Sequence, residues 1–145
     1  GVELLANMVL TDQLDLSGTL TWADHTYAFD RPANGIVDGN QIDTAPEWQG
    51  DLSLSWSNGG PVEASLSAEF VGEYFTDEAA SVVYDGHVLM SARGAYDVTD
   101  HVELFVIVRN LFDERYADRA DFAFGNERYF PGEPLNATFG MRANW

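Results

Sequence analysis

The sequence predicts an all-β fold: an antiparallel, up-and-down transmembrane β-barrel sector of about seven strands, with short periplasmic turns and long extracellular loops. Three observations predict it. Apolar and polar residues alternate with period two along most of the chain, and successive strand side chains point to opposite faces. Connections alternate between short and long, which puts every short turn at one end of the sheet, as outer-membrane barrels do. Aromatic residues of the apolar face gather near strand ends in two girdles, as expected at two membrane interfaces.

The strands follow in order. Leu4, Ala6, Met8 and Leu10 alternate with Glu3, Leu5, Asn7 and Val9, the weakest case. Leu14, Leu16, Gly18, Leu20 and Trp22 face one way; Asp15, Ser17, Thr19 and Thr21 face the other. Trp48, Gly50, Leu52, Leu54 and Trp56 alternate with Gln49, Asp51, Ser53 and Ser55. Val62, Ala64, Leu66, Ala68 and Phe70 alternate with Glu63, Ser65, Ser67 and Glu69. Val88, Met90, Ala92, Gly94 and Tyr96 alternate with Leu89, Ser91, Arg93 and Ala95. Val102, Leu104, Val106 and Val108 alternate with Glu103, Phe105, Ile107 and Arg109. The last strand sets Leu135, Ala137, Phe139, Met141, Ala143 and Trp145 against Asn136, Thr138, Gly140, Arg142 and Asn144. Thr11–Gln13, Ser57–Pro61 and Asp97–His101 are the short turns; residues 28–45, 76–83 and 113–133 are the long polar connections.

Charge placement favours lipid on the apolar face. Glu63, Glu69, Arg93, Glu103, Arg109 and Arg142 all fall on polar faces, and the apolar faces carry no charge over their central stretches. Trp22, Trp48, Phe70 and Tyr74 gather at the long-loop end, and Trp56, Tyr96 and Trp145 at the short-turn end. A soluble barrel with a few edge aromatics alternates in the same way and stays open. A spanning strand needs about 9–11 residues. Leu14–Tyr27 and Val62–Phe75 exceed that and are expected to project beyond the bilayer. Seven is an odd count, and an open sheet in hydrocarbon leaves edge backbone groups unpaired. Either residues 113–133 hide an eighth strand, or the chain is a sector of a larger barrel. A start at Gly without Met or signal sequence reads as a cut or processed end and favours the sector.

Composition excludes several classes. The 145 residues carry 24 acids against seven bases, a formal net charge of −17, and every base is Arg. That balance argues against nucleic-acid binding and against a polybasic patch for anionic lipid. With no Cys, disulfide scaffolds, thiolate metal sites and Cys nucleophiles drop out. No apolar run is long enough for a transmembrane helix. His25, His87 and His101 are too scattered for a metal or catalytic set and read as solvated surface residues. Glu63, Glu69 and Glu73 share one polar face, but i and i+4 on a strand lie about 13 Å apart, too far for paired-carboxylate catalysis; pairing with Arg93 is expected instead. Asp30, Asp38 and Asp43 lack the spacing of a calcium loop. No catalytic residue, metal site or cofactor is expected, and the chain does not read as an enzyme.

One stretch has a familiar form. Arg109-Asn110-Leu111-Phe112-Asp113, followed by Tyr116-Ala117, resembles the N-L-F-D-x-x-Y signature of TonB-dependent outer-membrane receptors. Arg128-Tyr129-Phe130-Pro131-Gly132-Glu133-Pro134 is similar to the family's R-x-Y-x-P-G-x-P-R stretch, with Leu135 where the family often has Arg. Ala45-Pro46-Glu47-Trp48 and Gly1-Val2-Glu3-Leu4 resemble two of its strand beginnings. The resemblance implies that residues 1–145 are the C-terminal part of a receptor β-barrel of about 22 strands, without its plug domain. It implies the outer membrane as location, and uptake of a scarce nutrient with energy coupled through TonB, which engages a plug domain absent from this chain. An iron–siderophore complex is the expected ligand; cobalamin, haem or an oligosaccharide stay open. Phe139, Met141 and Trp145 in the last strand resemble the signal read by the barrel assembly machinery. A small autonomous outer-membrane β-barrel with a structural or adhesion role is the alternative, and a soluble binding barrel a third.

Two sets of residues carry further expectations. Asn110 and Asp113 can bond nearby backbone where the strand hands over to the loop, with Phe112 and Tyr116 anchoring that handover by burial. The loop 113–133 is the expected ligand contact, through Arg115, Arg119, Phe122, Phe124 and Arg128: Arg recognises carboxylate and catecholate-type oxygens, and aromatics supply flat contact area. The competing reading is a loop folded on itself by Arg–Asp pairing, since Asp113, Asp118 and Asp121 are interleaved.

Overall fold

The computed structural model describes all residues, Gly1–Trp145. Eleven strands follow one another: β1 (Val2–Thr11), β2 (Leu14–Trp22), β3 (Trp48–Ser57), β4 (Val62–Val71), β5 (Tyr74–Phe75), β6 (Val83–Tyr84), β7 (His87–Thr99), β8 (Val102–Arg109), β9 (Ala117–Ala123), β10 (Asn126–Pro131) and β11 (Asn136–Ala143). Seven of them form one antiparallel sheet in the order β1-β2-β3-β4-β7-β8-β11, an up-and-down meander. These are the seven strands that the alternation marks. The other four make two small hairpins, β5–β6 and β9–β10, inside the long connections.

The segment 113–133 therefore does contain strands, but they pair with each other and not with the sheet. The outer edges of β1 and β11 stay open, so the wall is a sector and not a closed barrel. Three expected boundaries shift. β2 stops at Trp22 instead of running to Tyr27. β4 stops at Val71, and Tyr74–Phe75 turns away to pair with Val83–Tyr84. The cause lies at Gly86, where φ is +77° and an added Cβ would sit 2.1 Å from the Val71 carbonyl oxygen. The returning chain crosses β4 there, closer than any other residue allows. Finally, β11 ends at Ala143, so Trp145 lies just beyond it.

Register puts like with like across the wall. Met8, Leu16, Leu54, Leu66, Ala92, Val108 and Ala137 form one continuous outward row. Asn7, Ser17, Ser53, Ser67 and Ser91 form the inward row beside it. Trp22 and Trp48 pair at the long-loop end, ring centroids 6.3 Å apart. At two of the wall glycines a neighbouring ring lies over the backbone: Phe105 over Gly140 inside, Phe70 over Gly50 outside.

The wall has no core of its own. Only eight of 145 residues are buried, and the chain exposes 9736 Å², whereas a compact soluble chain of this mass exposes about 7,400 Å². The excess is that of a single layer with both faces uncovered, one of them apolar. Backbone ladders hold the layer, assisted inside by a charge network near the short turns. Arg93 lies 3.2 Å from Glu103 and 3.9 Å from Glu63, and Arg142 lies 3.3 Å from Glu103. The expected Arg93 pairing thus holds for Glu63, while Glu69 sits opposite Leu89 and makes no ion pair. The network crosses β4, β7, β8 and β11; each exposed pair alone is worth little.

Candidate functional site

Chemistry gathers at the long-loop end, where the three long connections pack into one body. It begins at Asn110, the residue after β8. Asn110 is buried with φ +49°, a backbone region that Asn tolerates better than most residues. Its side-chain amide donates to the carbonyls of Glu114 (2.9 Å) and Glu133 (3.0 Å) and accepts from the Glu114 amide (2.8 Å). Asp113, also left-handed, accepts from the Leu135 amide at 3.1 Å. Both ends of the loop are thereby tied to one turn, as expected from these two residues. Tyr116 anchors it: the ring lies over Gly132, where an added Cβ would come within 2.4 Å of three ring atoms, and the hydroxyl accepts from the Glu133 amide. Phe112 does not anchor anything by burial; it is 72% exposed, because the bonds of Asn110 and Asp113 and the Tyr116 ring already close the loop.

The β9–β10 hairpin is clipped onto β5–β6 by side chains that bond its backbone. The Tyr74 hydroxyl accepts from the Ala120 amide (2.9 Å), and the Tyr84 hydroxyl accepts from the Ala117 amide (3.1 Å) and donates to its carbonyl (3.2 Å). Thr76, fully buried, donates its hydroxyl to Glu127 (2.9 Å), and its carbonyl accepts from the Phe122 amide (2.8 Å). Tyr74, Ala117 and Ala120 form a small core with Val71 and Tyr84 against it. Burial pushes the Tyr74 and Tyr84 phenols up from their ordinary value, partly offset by their bonds to the Ala120 and Ala117 backbone. His87 is not the solvated residue that sequence suggests: its ring stacks on Tyr116 at 4.7 Å, and Nδ1 shares a 2.9 Å hydrogen bond with Tyr84.

The first long connection joins the same body. Ile36 is buried, Asn34 donates to Glu78 (2.8 Å), and the Thr44 amide donates to the Phe75 carbonyl (2.8 Å). Tyr27 donates to Asp43 (2.7 Å); burial first, and that bond second, push its phenol up to about 12. Asp77 closes the β5–β6 turn; burial pushes its carboxyl up, but bonds from the Ser81 hydroxyl (2.6 Å) and the Val82 and Ser81 amides outweigh burial and hold it below the ordinary value.

The residues expected to contact ligand fall into two groups. Arg119 and Arg128 converge on buried Asp121, at 2.5 and 2.7 Å. The Arg128 bond, then Arg119, hold the Asp121 carboxyl below its usual range against the opposing effect of burial. The Arg128 guanidinium also lies between Phe124 and Phe130, 5.7 and 5.6 Å from their ring centroids. Phe124 stands at the hairpin tip, 94% exposed, with Phe122 half exposed and Arg115 exposed in the preceding turn. The hairpin thus presents an aromatic tip with two guanidiniums over one carboxylate. Sequence reasoning found this loop but missed its supports Thr76 and Tyr84, and it set Tyr74 in the long-loop aromatic girdle, whereas the ring is buried and its hydroxyl bonds the Ala120 amide. Phe139, Met141 and Trp145 are all strongly exposed on the outward side or end of β11.

Comparison with known proteins agrees with this architecture. A family model described as "TonB dependent receptor-like, beta-barrel" matches residues 1–111. The metal-pseudopaline receptor CntO of Pseudomonas aeruginosa is 28% identical over the whole chain, which covers 20% of that protein. The chain thus spans about a fifth of the length of the curated relatives it matches. Among solved structures, the ferric yersiniabactin uptake receptor FyuA of Yersinia pestis superposes with a TM-score of 0.82 at 15% identity, over 99% of this chain and 23% of that one. The siderophore receptor PiuA of Acinetobacter baumannii gives 0.78 at 20% identity, over 97% and 21%.

Proposed function

Because the chain belongs to the TonB-dependent receptor β-barrel family, a family of outer-membrane transport receptors and not of enzymes, we propose that it is the C-terminal part of the barrel wall of one such receptor. The receptor takes up a scarce nutrient as a metal–chelator complex, an iron–siderophore in the first place, with energy coupled through TonB and a plug domain outside this chain. The observation that carries the reading is the open seven-stranded wall, with one apolar face and its long loops locked into one body at one end. Membrane lipid solvates the outward rows. Phe139, Met141 and Trp145 serve as the signal for the barrel assembly machinery. Arg115, Phe122 and Phe124 are the free ligand contacts of the hairpin, and Arg119 and Arg128 shape it while keeping donors available. The metal-pseudopaline relative, similar along the whole chain, supports a chelated metal as cargo.

The test is uptake by source cells with and without the gene that carries this sequence. Cells receive radioactive iron as citrate, catecholate and hydroxamate complexes, and radioactive zinc bound to pseudopaline. Loss of uptake of one complex on deletion, restored by the gene, is the expected result. Undiminished uptake of every complex in the deletion strain would overturn the assignment.

A further inference from the structure

The loop body is more acidic than the wall that carries it. Its three connections, residues 23–47, 72–86 and 110–135, hold fifteen of the chain's 24 acidic residues and four of its seven arginines, a net charge of −11 in 66 residues. The other 79 residues carry −6. Pairing widens the difference. The wall seats Arg93 and Arg142 on Glu63 and Glu103. In the loop body Asp121 is the one carboxylate in an ion pair, and it takes two cations, Arg119 and Arg128. Arg31 lies over the Phe29 ring, 5.6 Å from its centroid, and not on an acid. Other loop carboxylates accept from uncharged groups: Asp43 from Tyr27, Glu78 from Asn34, Glu127 from Thr76. Such bonds fix a carboxylate and leave its charge in place. Asp24, Asp38, Glu73, Asp85 and Asp118 stand exposed, and between them they come from all three connections.

Neighbouring phenols register the same field. Burial first, and nearby carboxylates with it, push up Tyr27 (Asp43 and Glu78), Tyr84 (Glu114 and Asp118) and Tyr116 (Asp118 and Glu133). Aromatic surface lies among these charges. Phe29 and Phe122 are half-exposed and Phe124 almost fully so. Phe29 and Phe124 already carry a guanidinium over the ring. Carboxylates beside open ring faces are the chemistry that holds an organic cation. A field of one sign also raises the local concentration and association rate of opposite charges, by roughly 10–1,000-fold.

We propose that the loop body selects cargo by charge: it draws in metal–chelator complexes of net positive charge and turns away polyanionic ones, ferric tris-catecholate and ferric citrate among them. This rests on the transport reading above and deepens it by naming the charge class of the cargo. A ferric trihydroxamate with a free ammonium fits that class. Its three hydroxamates cancel the charge of the iron, and the ammonium remains. Three catecholates leave the same metal with three negative charges.

The chain has no cysteine, so one introduced thiol reports on its own surroundings. Val37→Cys and Phe124→Cys, both at exposed positions, are made in the full receptor, stripped of any other cysteine. The purified receptor is held in non-ionic detergent, which removes anionic lipid. Each thiol reacts with cationic methanethiosulfonate ethyltrimethylammonium and with anionic methanethiosulfonate ethylsulfonate. The ratio of the two rates cancels thiol ionisation and reads the local potential. At low salt it should exceed the ratio for 2-mercaptoethanol by roughly tenfold, and molar salt should erase the excess. A ratio equal to that of 2-mercaptoethanol, or below it, would overturn the proposal. Either position suffices where the other variant does not assemble. Asp38→Asn, Glu73→Gln and Asp85→Asn combined should lower the ratio; an unchanged ratio places the field outside this loop body and overturns the proposal too. The second readout is import by cells of three radioactive iron complexes with one trihydroxamate shell: ferrioxamine B with its ammonium, its neutral N-acetyl form and its anionic N-succinyl form. Import should fall in that order. Equal or reversed rates, or import confined to anionic complexes, count against charge selection. A receptor that imports no complex of any kind sinks the transport reading, while the labelling ratios still decide whether the loop body attracts cations.

Discussion

The wall and the loop body of this chain are stabilised in opposite ways. The wall is one layer with no interior; repetition holds it, through backbone ladders and rows of like residues that leave one face apolar. The loop body has few ladders and a minute core, and single side chains hold it, each bonding the backbone of a segment distant in sequence. A repetitive structure tolerates change at any one polar position and is sensitive to the sign of the solvent. A structure of unique bonds is sensitive to individual atoms.

Five changes break or sharpen that contrast. Leu54→Arg puts a charge into the middle outward row and should cost about 2–4 kcal/mol, read as loss of membrane-assembled, heat-resistant barrel. Ser53→Arg, one residue away on the inward face, should assemble normally. Asn110→Ala removes three hydrogen bonds and forces alanine into a left-handed backbone. Each buried group left unpaired costs about 1–3 kcal/mol, so limited proteolysis should cut residues 110–135 while the wall stays intact. Tyr74→Phe deletes one hydroxyl and strands the Ala120 amide, a loss of about 1–2 kcal/mol, seen as faster amide exchange in β9 alone. The smallest effect is acid sensitivity at Asp121. Its carboxyl is depressed by Arg128 and Arg119, so its contribution is present above the ordinary carboxylate range and fades as pH falls through the lowered value. Exchange at the hairpin tip should rise on acidification, and Asp121→Asn should abolish that rise.

The same contrast explains what could be read from sequence. The wall was legible because period two is a local signal repeated seven times, and even the odd strand count pointed correctly to a sector. Asn110 and Asp113 were legible because short polar residues at a strand end have few alternatives. Tyr74, Thr76, Tyr84 and His87 were not, because their partners lie in β9, β10 and the turn after β8, and no spacing along the chain announces that meeting. Phe112 misled for a related reason: an aromatic in a loop suggests burial, and the bonds of Asn110 make burial unnecessary.

The clipping of three loops into one body has a consequence for any molecule that binds this end of the wall. An antibody approaching this surface reads a composite made of segments around residues 34, 78 and 122, held together by Asn34, Thr76 and Tyr74. Sera raised against a peptide of residues 113–133 would recognise little of it.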